Sequence, residues 1–575
     1  MARKREGEDL KWQIDERNGV KYVYTSTSTM VGGKKRTVSE YLGRLDEAGN
    51  LVPKKKGKTK AEKEKAAKEK DIVLLEGLSS KEYGAVYFLD LLQKKVGLGD
   101  DLYKSFGQSG TTILAMAEAM AMAQSNVFLD IEAEFERTFL RQYYNLDSSM
   151  DSGSISKFVN RIGQSTANVD LFYEYRFGRC EGVVSFDTTT NGTYSDMDGL
   201  AEWLACNKDN ENLKQVKTGL ATDMRGVPLA MHHYPATLSD LDTVRSLLSD
   251  VERYGKRDSC IFAMDRGFVS AGNLKYMCDQ NLQFVAPAPI VSKELKSLLT
   301  RMKQDHVGTP KVFDEHAYKV WEVDLGLARY GDLTTASGEQ LYRLTVEGDP
   351  DHQTEGKLKA FVVFDSKKYS DEVQSYELMI TDLLERAKTI DSPRPVDVFK
   401  KMAGKAFKYF DVRADGRKVI VERKKKSATF KENRAGMFIM LTSEGMDWET
   451  MMTAYDSRRL VEQGFDFEKS TDKRFRTSDK ISMEGREFVR FIALILRCEI
   501  AALFRENKLD TKFTVDGALA SLNSIMALTS GKWSRVDNVT KAHRNLYEVC
   551  GFDVPKQVLK GQLSYDIEAV AGQEE

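Results

Sequence analysis

Four polar side chains near the C-terminal end of the chain recur at intervals that place them on one face of an α-helix. They are Tyr455, Arg458, Glu462 and Lys469, in the stretch YDSRRLVEQGFDFEKS. At about 100° per residue, the four fall within a face roughly 60° wide. Two cations and a phenol hydroxyl beside one carboxylate could grip a phosphodiester while the acid completes a metal site.

The same residues allow a plainer interpretation. Arg458 and Glu462 stand four residues apart, so they also suit an exposed salt bridge worth on the order of a few tenths of a kcal/mol. Gly464 weakens the assumption of one continuous helix, because glycine is a poor helix former and favours a kink. Asp466 is a second acid on the same face. The helix alone leaves both interpretations open.

Two aspartates follow buried apolar runs earlier in the chain. Asp187 ends VSFD and Asp265 ends FAMD. In α/β sheets the ends of strands open onto the cleft that carries the chemistry, and carboxylates there hold hard divalent cations through oxygen. Taken singly, each aspartate is equally typical of a helix cap or a turn.

The elements around these aspartates follow a recognisable order. GVVSFDTTT, KTGLATDM and GVPLAMHHYP predict three strands, the last two joined by a turn at Arg225-Gly226, and LSDLDTVRSLLSDVERYG predicts an amphipathic helix. CIFAMDRGF then predicts a strand, AGNLKYMCDQN a helix and QFVAPAP a last strand. Three strands, helix, strand, helix, strand is the order of an RNase H-like core, so the predicted fold class is α/β.

Changes of periodicity along the chain predict seven parts. They are a small β-rich unit at 1–52, a basic linker at 53–75, a helical, DNA-binding region at 76–178, the first part of the RNase H-like core at 179–290, a β-rich insertion at 291–433, the second part of the core at 434–527, and a C-terminal helical segment and tail at 528–575. The lysine-rich linker suits either a solvated connection or a flexible arm on phosphates. The helical region equally suits a packed bundle.

Composition sets further bounds. The formal net charge is -1, so attraction to nucleic acid would have to come from local patches. The six cysteines show no C-x-x-C pairing and are expected to be reduced. The N-terminus lacks the apolar stretch of a signal peptide, and no apolar run reaches the length of a membrane span. We therefore expect a protein of a reduced cytosolic compartment with no membrane partner.

The spacing Tyr455-x2-Arg458-x3-Glu462-x6-Lys469 resembles the Y-R-E-K signature of bacterial insertion-sequence transposases of the insertion-sequence-4 type. SFDTTT resembles the first-aspartate motif of that family, AMDRGF the second, and YPATLSD the segment between them. The long gap from Asp265 to the glutamate resembles the β-rich insertion of these DDE enzymes. The resemblance covers roughly residues 180–500.

This resemblance implies a function and a site. Asp187, Asp265 and Glu462 would be catalytic and would bind two Mg²⁺ ions, for which Mn²⁺ can substitute. Tyr455, Arg458 and Lys469 would contact DNA phosphates. The reaction would be cleavage at the element ends, followed by attack of the freed 3′-hydroxyl on target DNA. The partners would be double-stranded end and target DNA, bound by a homodimer at the nucleoid of a prokaryotic cytoplasm.

Further DNA contacts and two other functions stay open. In relatives an aromatic side chain of the insertion stacks on a displaced base, for which Trp321 is a candidate beside its alternative as a core residue. Lys424, Lys425 and Lys426 would line a DNA path. An RNase H-like nuclease without strand transfer and a non-enzymatic, transposase-derived DNA-binding protein are the alternatives.

Overall fold

The computed structural model describes most of the chain, in segments separated by short gaps. The described residues are 12–54, 78–123, 128–146, 149–204, 212–254, 260–290, 292–304, 307–335, 338–346, 354–425, 434–469, 474–475, 477, 479–530 and 533–562. Most of the predicted basic linker, the end of the predicted tail, and Lys426 lie outside them. The chain divides into two compact units, one of residues 1–79 with 529–533 and one of residues 80–528 with 534–575.

The first unit is built on one antiparallel sheet. Its strands are β1 (Trp12–Arg17), β2 (Val20–Val31), β3 (Lys34–Leu45) and β4 (Leu51–Pro53), in that order across the sheet. β2 and β3 are joined by Gly32-Gly33, both with positive φ, as a tight hairpin turn requires. These strands lie where the sequence predicts a small β-rich unit.

Helices dominate the beginning of the second unit, in the region where the sequence predicts them. They are α1 (Gly84–Lys95), α2 (Leu98–Phe106), α3 (Gln108–Ala123), α4 (Ile131–Arg137), α5 (Leu140–Tyr144), α6 (Ser152–Gln164) and α7 (Thr166–Gly178). α3 is apolar on nearly every side and is buried almost throughout, as expected for a helix at the centre of a bundle.

A large mixed sheet forms the middle of this unit. Its strands are β6 (Gly182–Thr193), β7 (Lys214–Asp223), β8 (Pro228–Pro235), β9 (Cys260–Met264), β10 (Gln283–Pro287), β11 (Thr309–Phe313), β12 (His316–Thr334), β13 (Gln340–Val346), β14 (Gly356–Asp365), β17 (Met437–Ser443) and β18 (Arg474–Phe475). The main path is β11-β12-β14-β17-β10-β9-β6-β7-β8. β6, β9 and β10 are parallel, whereas β6, β7 and β8 are antiparallel.

The predicted order of elements around the two aspartates is confirmed. After β6, β7 and β8 come α8 (Asp240–Arg253), β9, α9 (Ala271–Asp279) and β10. The predicted turn between β7 and β8 is present, with Gly226 at a φ of 78°.

The region from 291 to 433, which the sequence predicts as a β-rich insertion, contributes strands to the main sheet. β14 pairs with β12 on one side and with β17 on the other, so these strands extend the main sheet. The region also holds three helices, α10 (Lys293–Gln304), α11 (Ser366–Ala387) and α12 (Pro395–Ala403). Within it β15 (Phe410–Asp415) and β16 (Lys418–Arg423) form a hairpin, closed at Gly416.

The remaining elements follow β17 along the chain. They are α13 (Trp448–Ser457), α14 (Arg459–Lys469), α15 (Lys480–Glu506), α16 (Val515–Asn523), β19 (Met526–Ser530), β20 (Trp533–Asp537) and α17 (Lys541–Val549); β5 (Ser79–Glu82) pairs with β19. The sequence predicts only a helical segment after 528, so β20 is an addition. No helix among the described residues is long and apolar enough to cross a membrane.

The hydrophobic core lies on both faces of the large sheet. One face packs against the helical region and α15, through β-strand residues such as Val184 and Phe262. The other face packs against α13, through Val183, Ala263 and Trp448. This second face is the one that carries the candidate site.

Candidate active site

The two predicted aspartates lie side by side on neighbouring parallel strands. Phe186 of β6 pairs with Met264 of β9, and Asp187 and Asp265 are the residues that follow. Because side chains alternate along a strand, both aspartates point to the face that α13 covers. The parallel register therefore brings together two acids that are far apart in sequence.

Asp187 does not end its strand, contrary to the prediction. β6 continues to Thr193, paired with β7 throughout. What ends near Asp187 is its pairing with β9, whose last residue is Met264. Asp265 does follow the end of β9, where its carboxylate accepts a hydrogen bond from the Arg266 amide at 2.6 Å.

α13 delivers the third part of the site. Its N-terminus is capped by the Asp447 carboxylate, which accepts from the Thr450 amide at 2.9 Å. Its C-terminal residue, Ser457, lies 3.0 Å (Oγ to Oγ) from Ser185, two residues before Asp187 on the same face of β6. Since both hydroxyls are buried, this contact sets the distance between the helix end and the strand.

The predicted single helix is divided at Arg458. α13 ends at Ser457 and α14 begins at Arg459, with the Arg458 amide bonded to the Tyr455 carbonyl at 3.2 Å. Gly464 causes no kink: α14 runs through it, and a Cβ there would lie 3.0 Å from Leu220 on β7. The close approach of α14 to β7 at this position leaves little room for a larger side chain unless Leu220 shifts.

Arg458 links two of the three predicted catalytic acids. Its guanidinium nitrogens lie 3.7 Å from the Asp265 carboxylate and 3.6 Å from the Glu462 carboxylate. The guanidinium is only 15% exposed, whereas the two acids are 45% and 60% exposed. Its carbon also lies 5.6 Å from the centre of the Tyr455 ring. The Arg458–Glu462 salt bridge of the plainer interpretation is thus present, but it continues to Asp265.

Two contacts fasten α14 along β6. Lys469 donates from Nζ to the Thr190 carbonyl at 3.3 Å. Asn191 donates from Nδ2 to the buried Glu468 carboxylate at 2.8 Å. Burial, and after it the neighbouring Glu487 carboxylate, raise the pKa of Glu468 to about 7. No motif in the sequence distinguishes Glu468, which follows the apolar Phe467.

A second polar group involves Thr188, the residue that follows Asp187 on β6. The Thr188 hydroxyl donates to Asp240 at 3.0 Å, and the buried Lys217 ammonium donates to the same carboxylate oxygen at 2.8 Å. Asp240 is the first residue of α8 and ends the YPATLSD segment. The only signal available from sequence was its position in that segment.

The donor set suits a hard cation but is not gathered into a metal cluster. Asp187, Asp265 and Glu462 offer only oxygen, the ligand that Mg²⁺ and Mn²⁺ prefer. Among the described residues, no group of three or more His, Cys, Asp or Glu side chains is close enough to hold a metal ion. The Arg458 guanidinium instead supplies positive charge beside two of these acids.

The remaining predicted DNA contacts lie elsewhere. Trp321 is on β12, is partly buried against the core, and its indole covers Gly308, as expected for a core tryptophan. Lys424 lies 3.7 Å from Asp411 across the β15–β16 hairpin. Lys425 is described and exposed, and Lys426 lies outside the described residues.

A separate cleft of about 1130 Å³ opens in the helical region. It lies between the start of α3 and one side of α6. Its polar lining includes two cations and four side-chain amides: Lys157, Arg161, Gln108, Asn145, Asn160 and Gln164. None of the described residues that line it is acidic.

Comparison with known proteins identifies the class. The transposase DDE domain family matches residues 179–497. This span includes Asp187, Asp265 and the two helices α13 and α14 that meet at Arg458. Since this is more than half of the chain, the protein belongs to that family. It is therefore a DDE transposase by family, an enzyme class that acts on DNA.

No curated protein matches the chain. Among solved structures, it is similar to the piggyBac transposase in a cryo-EM structure of the synaptic complex with hairpin DNA. The identity is 12% and the TM-score 0.32, over 74% of this chain and 70% of that one.

Proposed function

We propose that this protein is a transposase of the insertion-sequence-4 type with the Y-R-E-K signature. It would cleave DNA at the ends of its element and join the freed 3′-hydroxyl to target DNA. The observation that carries this proposal is the Arg458 guanidinium, which lies between Asp265 and Glu462 beside the strand that holds Asp187. It supports a common role for three acids that are distant in sequence.

The fold supports the same assignment. The strand order β8-β7-β6-β9-β10, with α8 and α9 between the later strands, is the arrangement expected of an RNase H-like core. In that core the first strand and the fourth carry acids that share one site. Asp187 and Asp265 occupy these two strands.

Asp187, Asp265 and Glu462 would hold the divalent ions. When bound, two Mg²⁺ or Mn²⁺ ions activate the attacking oxygen and stabilise the leaving oxygen at phosphorus. The exposed Glu462 belongs to a separate helix, so small movements of α14 can adjust its distance from the paired aspartates. The hydrogen bonds of Glu468 and Lys469 to β6 limit those movements.

The signature's other side chains would bind and orient the DNA strand. Arg458 can exchange a carboxylate contact for a phosphate, because both anions accept the same planar donors. The Tyr455 ring centre lies 5.6 Å from the guanidinium carbon, and this contact would keep the guanidinium directed at the site. Lys469 would add a phosphate contact by leaving the Thr190 carbonyl. These contacts position the strand without reading its bases.

The helical region would contribute to holding DNA. Its cleft combines Lys157 and Arg161 with amide side chains and, among its described lining, no acid. Such a surface attracts the phosphate backbone and can hydrogen bond with it. We further propose that two copies act together on paired ends, as the resemblance implies.

The test is strand transfer by purified full-length protein. Pre-cleaved element ends, taken from the DNA that flanks the coding sequence, are mixed with a supercoiled target plasmid and Mg²⁺. Joined product is expected from the unmodified protein, and Asp187→Asn and Glu462→Gln should each lower its rate at least ~100-fold. Asp466→Asn, an exposed acid on the same helix as Glu462, is the matched control and should keep activity.

Each alternative predicts a different result. A nuclease would nick the plasmid without joining the ends. A non-enzymatic protein would bind the ends and yield neither product. Equal loss in Asp466→Asn and Glu462→Gln would refute the assignment of Glu462 as the third acid.

A further inference from the structure

The hairpin of the first unit extends well beyond the sheet that anchors it. β1 pairs with β2 only over Val20–Thr25, and β4 pairs with β3 only over Gly43–Leu45. From there β2 and β3 continue as a pair of strands alone, Ser26–Val31 with Lys34–Ser39. We refer to these two segments and their glycine turn as the ribbon.

Both faces of the ribbon are exposed. Side chains point alternately to opposite faces, yet the described side chains from Thr27 to Met30 and from Lys34 to Ser39 are all exposed. Met30 is 69% exposed and Val38 60% exposed. A strand that packs on a core would show alternating burial. The ribbon therefore gains no stability from a core. Packing does not explain its choice of residues.

The chemistry of the ribbon is that of an anion-binding surface. The sequence contains no acid from Val20 to Ser39. Lys34, Lys35 and Arg36 follow the turn directly, and cross-strand pairing sets Arg36 beside Thr29 and Lys35 beside Met30. Cations therefore project from both faces near the tip.

Hydroxyl side chains occupy most other positions. Pairs such as Ser26–Ser39 and Ser28–Thr37 lie opposite each other, the latter with 3.1 Å between hydroxyl oxygens. Hydroxyls can donate to or accept from base edges, and threonine methyl groups can contact thymine. These serine and threonine side chains are neutral, small and polar, as a surface that enters a nucleic-acid groove requires.

We propose that the ribbon inserts into the major groove of double-stranded DNA. A two-stranded β-ribbon fits this groove, which is about 12 Å wide. Six paired residues at about 3.4 Å each give it a reach of about 20 Å, enough to cross the groove. The proposal rests on the proposed function for its DNA partner and adds a DNA-contacting element outside the catalytic domain.

The test is equilibrium binding of a labelled 40-base-pair mixed-sequence duplex by the full-length protein at several salt concentrations. The variant is Lys34→Ala/Lys35→Ala/Arg36→Ala. The matched control, Lys541→Ala/Lys556→Ala/Lys560→Ala, removes three exposed lysines from the second unit. All proteins carry Asp187→Asn, so that no cleavage occurs and binding is read independently of catalysis.

The ribbon variant should bind at least ~10-fold more weakly near 0.1 M salt. The slope of log K against log[salt] should become shallower by about two to three, because each phosphate contact contributes about 0.9 to that slope. The control should keep both values. Protection of guanine N7 from methylation, which reports on the major groove, should disappear in the variant.

A shortened ribbon gives an independent check. Removing Thr27–Met30 together with Lys35–Val38 keeps the turn, the facing of the remaining side chains and the four-stranded base, and should weaken binding equally. Unchanged affinity and salt dependence in both variants would overturn the proposal. A change of oligomeric state with unchanged DNA binding would identify the ribbon as a contact between copies instead. Absence of strand transfer by the protein without Asp187→Asn, together with ribbon-dependent DNA binding, would refute only the proposed function.

Discussion

Replacing the buried Glu468 by glutamine tests how α14 is held against the sheet. Glu468 is 9% exposed and accepts a hydrogen bond from Asn191 on β6. Burial, then the nearby Glu487 carboxylate, raises its pKa from 4.5 to about 7. Above pH 7 the folded protein must therefore carry a buried negative charge. Glutamine keeps the acceptor oxygen for Asn191 and removes that charge.

The direction of the pH dependence of stability follows from proton binding at Glu468. Between pH 4.5 and about 7 the folded state binds more protons at Glu468 than the unfolded state does, so the contribution of Glu468 to stability falls as pH rises. The shift corresponds to a loss of about 3 kcal/mol by pH 8. Glu468→Gln should therefore be more stable than the unmodified protein by up to about 3 kcal/mol at pH 8. The difference should vanish below pH 4.5, where the carboxyl is protonated in both states.

The assay is urea unfolding followed by circular dichroism at pH values from 4.5 to 8. Glu462→Gln is the control, because Glu462 lies on the same helix but is 60% exposed; its effect should stay within about 0.5 kcal/mol at every pH. A Glu468→Gln protein that is destabilised at pH 8, or whose stability parallels that of the unmodified protein across the range, would refute the argument. The carboxylate would then be stabilised in place by its cationic neighbours.

Two further predictions concern helix packing and the site's central cation. Gly485→Ala would place a Cβ 1.8 Å from the Val159 carbonyl, where α15 crosses α6. This clash should lower the free energy of unfolding by about 3 kcal/mol and with it the melting temperature. Gly178 has open space around it, so Gly178→Ala is the control and should change the melting temperature little. Arg458→Ala removes the cation held 3.6–3.7 Å from two acids, an attraction of about 1 kcal/mol each when solvent-screened. It should tighten Mn²⁺ binding by up to about 30-fold, measured by calorimetry, while lowering strand transfer. Arg459→Ala should do neither, and weaker Mn²⁺ binding in Arg458→Ala would contradict this account.

Much of the architecture could be predicted from the sequence because it depends on local pattern. Alternation and apolar runs identified β6, β7, β8, β9 and β10 with their intervening helices. The family, too, was predicted from short motifs and is confirmed by the match over residues 179–497. The insertion-sequence-4 type and the roles of the individual site residues stay predictions.

Errors arose where long-range pairing decides the outcome. β6 continues past Asp187 because β7 supplies hydrogen bonds along its length. The residues of β6 by themselves do not reveal this pairing. The sequence also does not show how the strands of the predicted β-rich insertion pair: they extend the main sheet, where β14 pairs with β17. The supposed single helix divides at Arg458, where the buried contact of Ser457 with Ser185 fixes the end of α13.

By itself, then, the sequence determined the types and spacings of the chemical groups: two acids after apolar strands and a tyrosine, arginine, glutamate and lysine at helical intervals. These follow from side-chain identity and from local backbone periodicity, which need no distant partner. Only the tertiary structure decided that Asp187 and Asp265 are neighbours, that Arg458 reaches both Asp265 and Glu462, and that Glu468 is buried. Those facts depend on strand register and helix packing, which arise between segments that are distant in sequence.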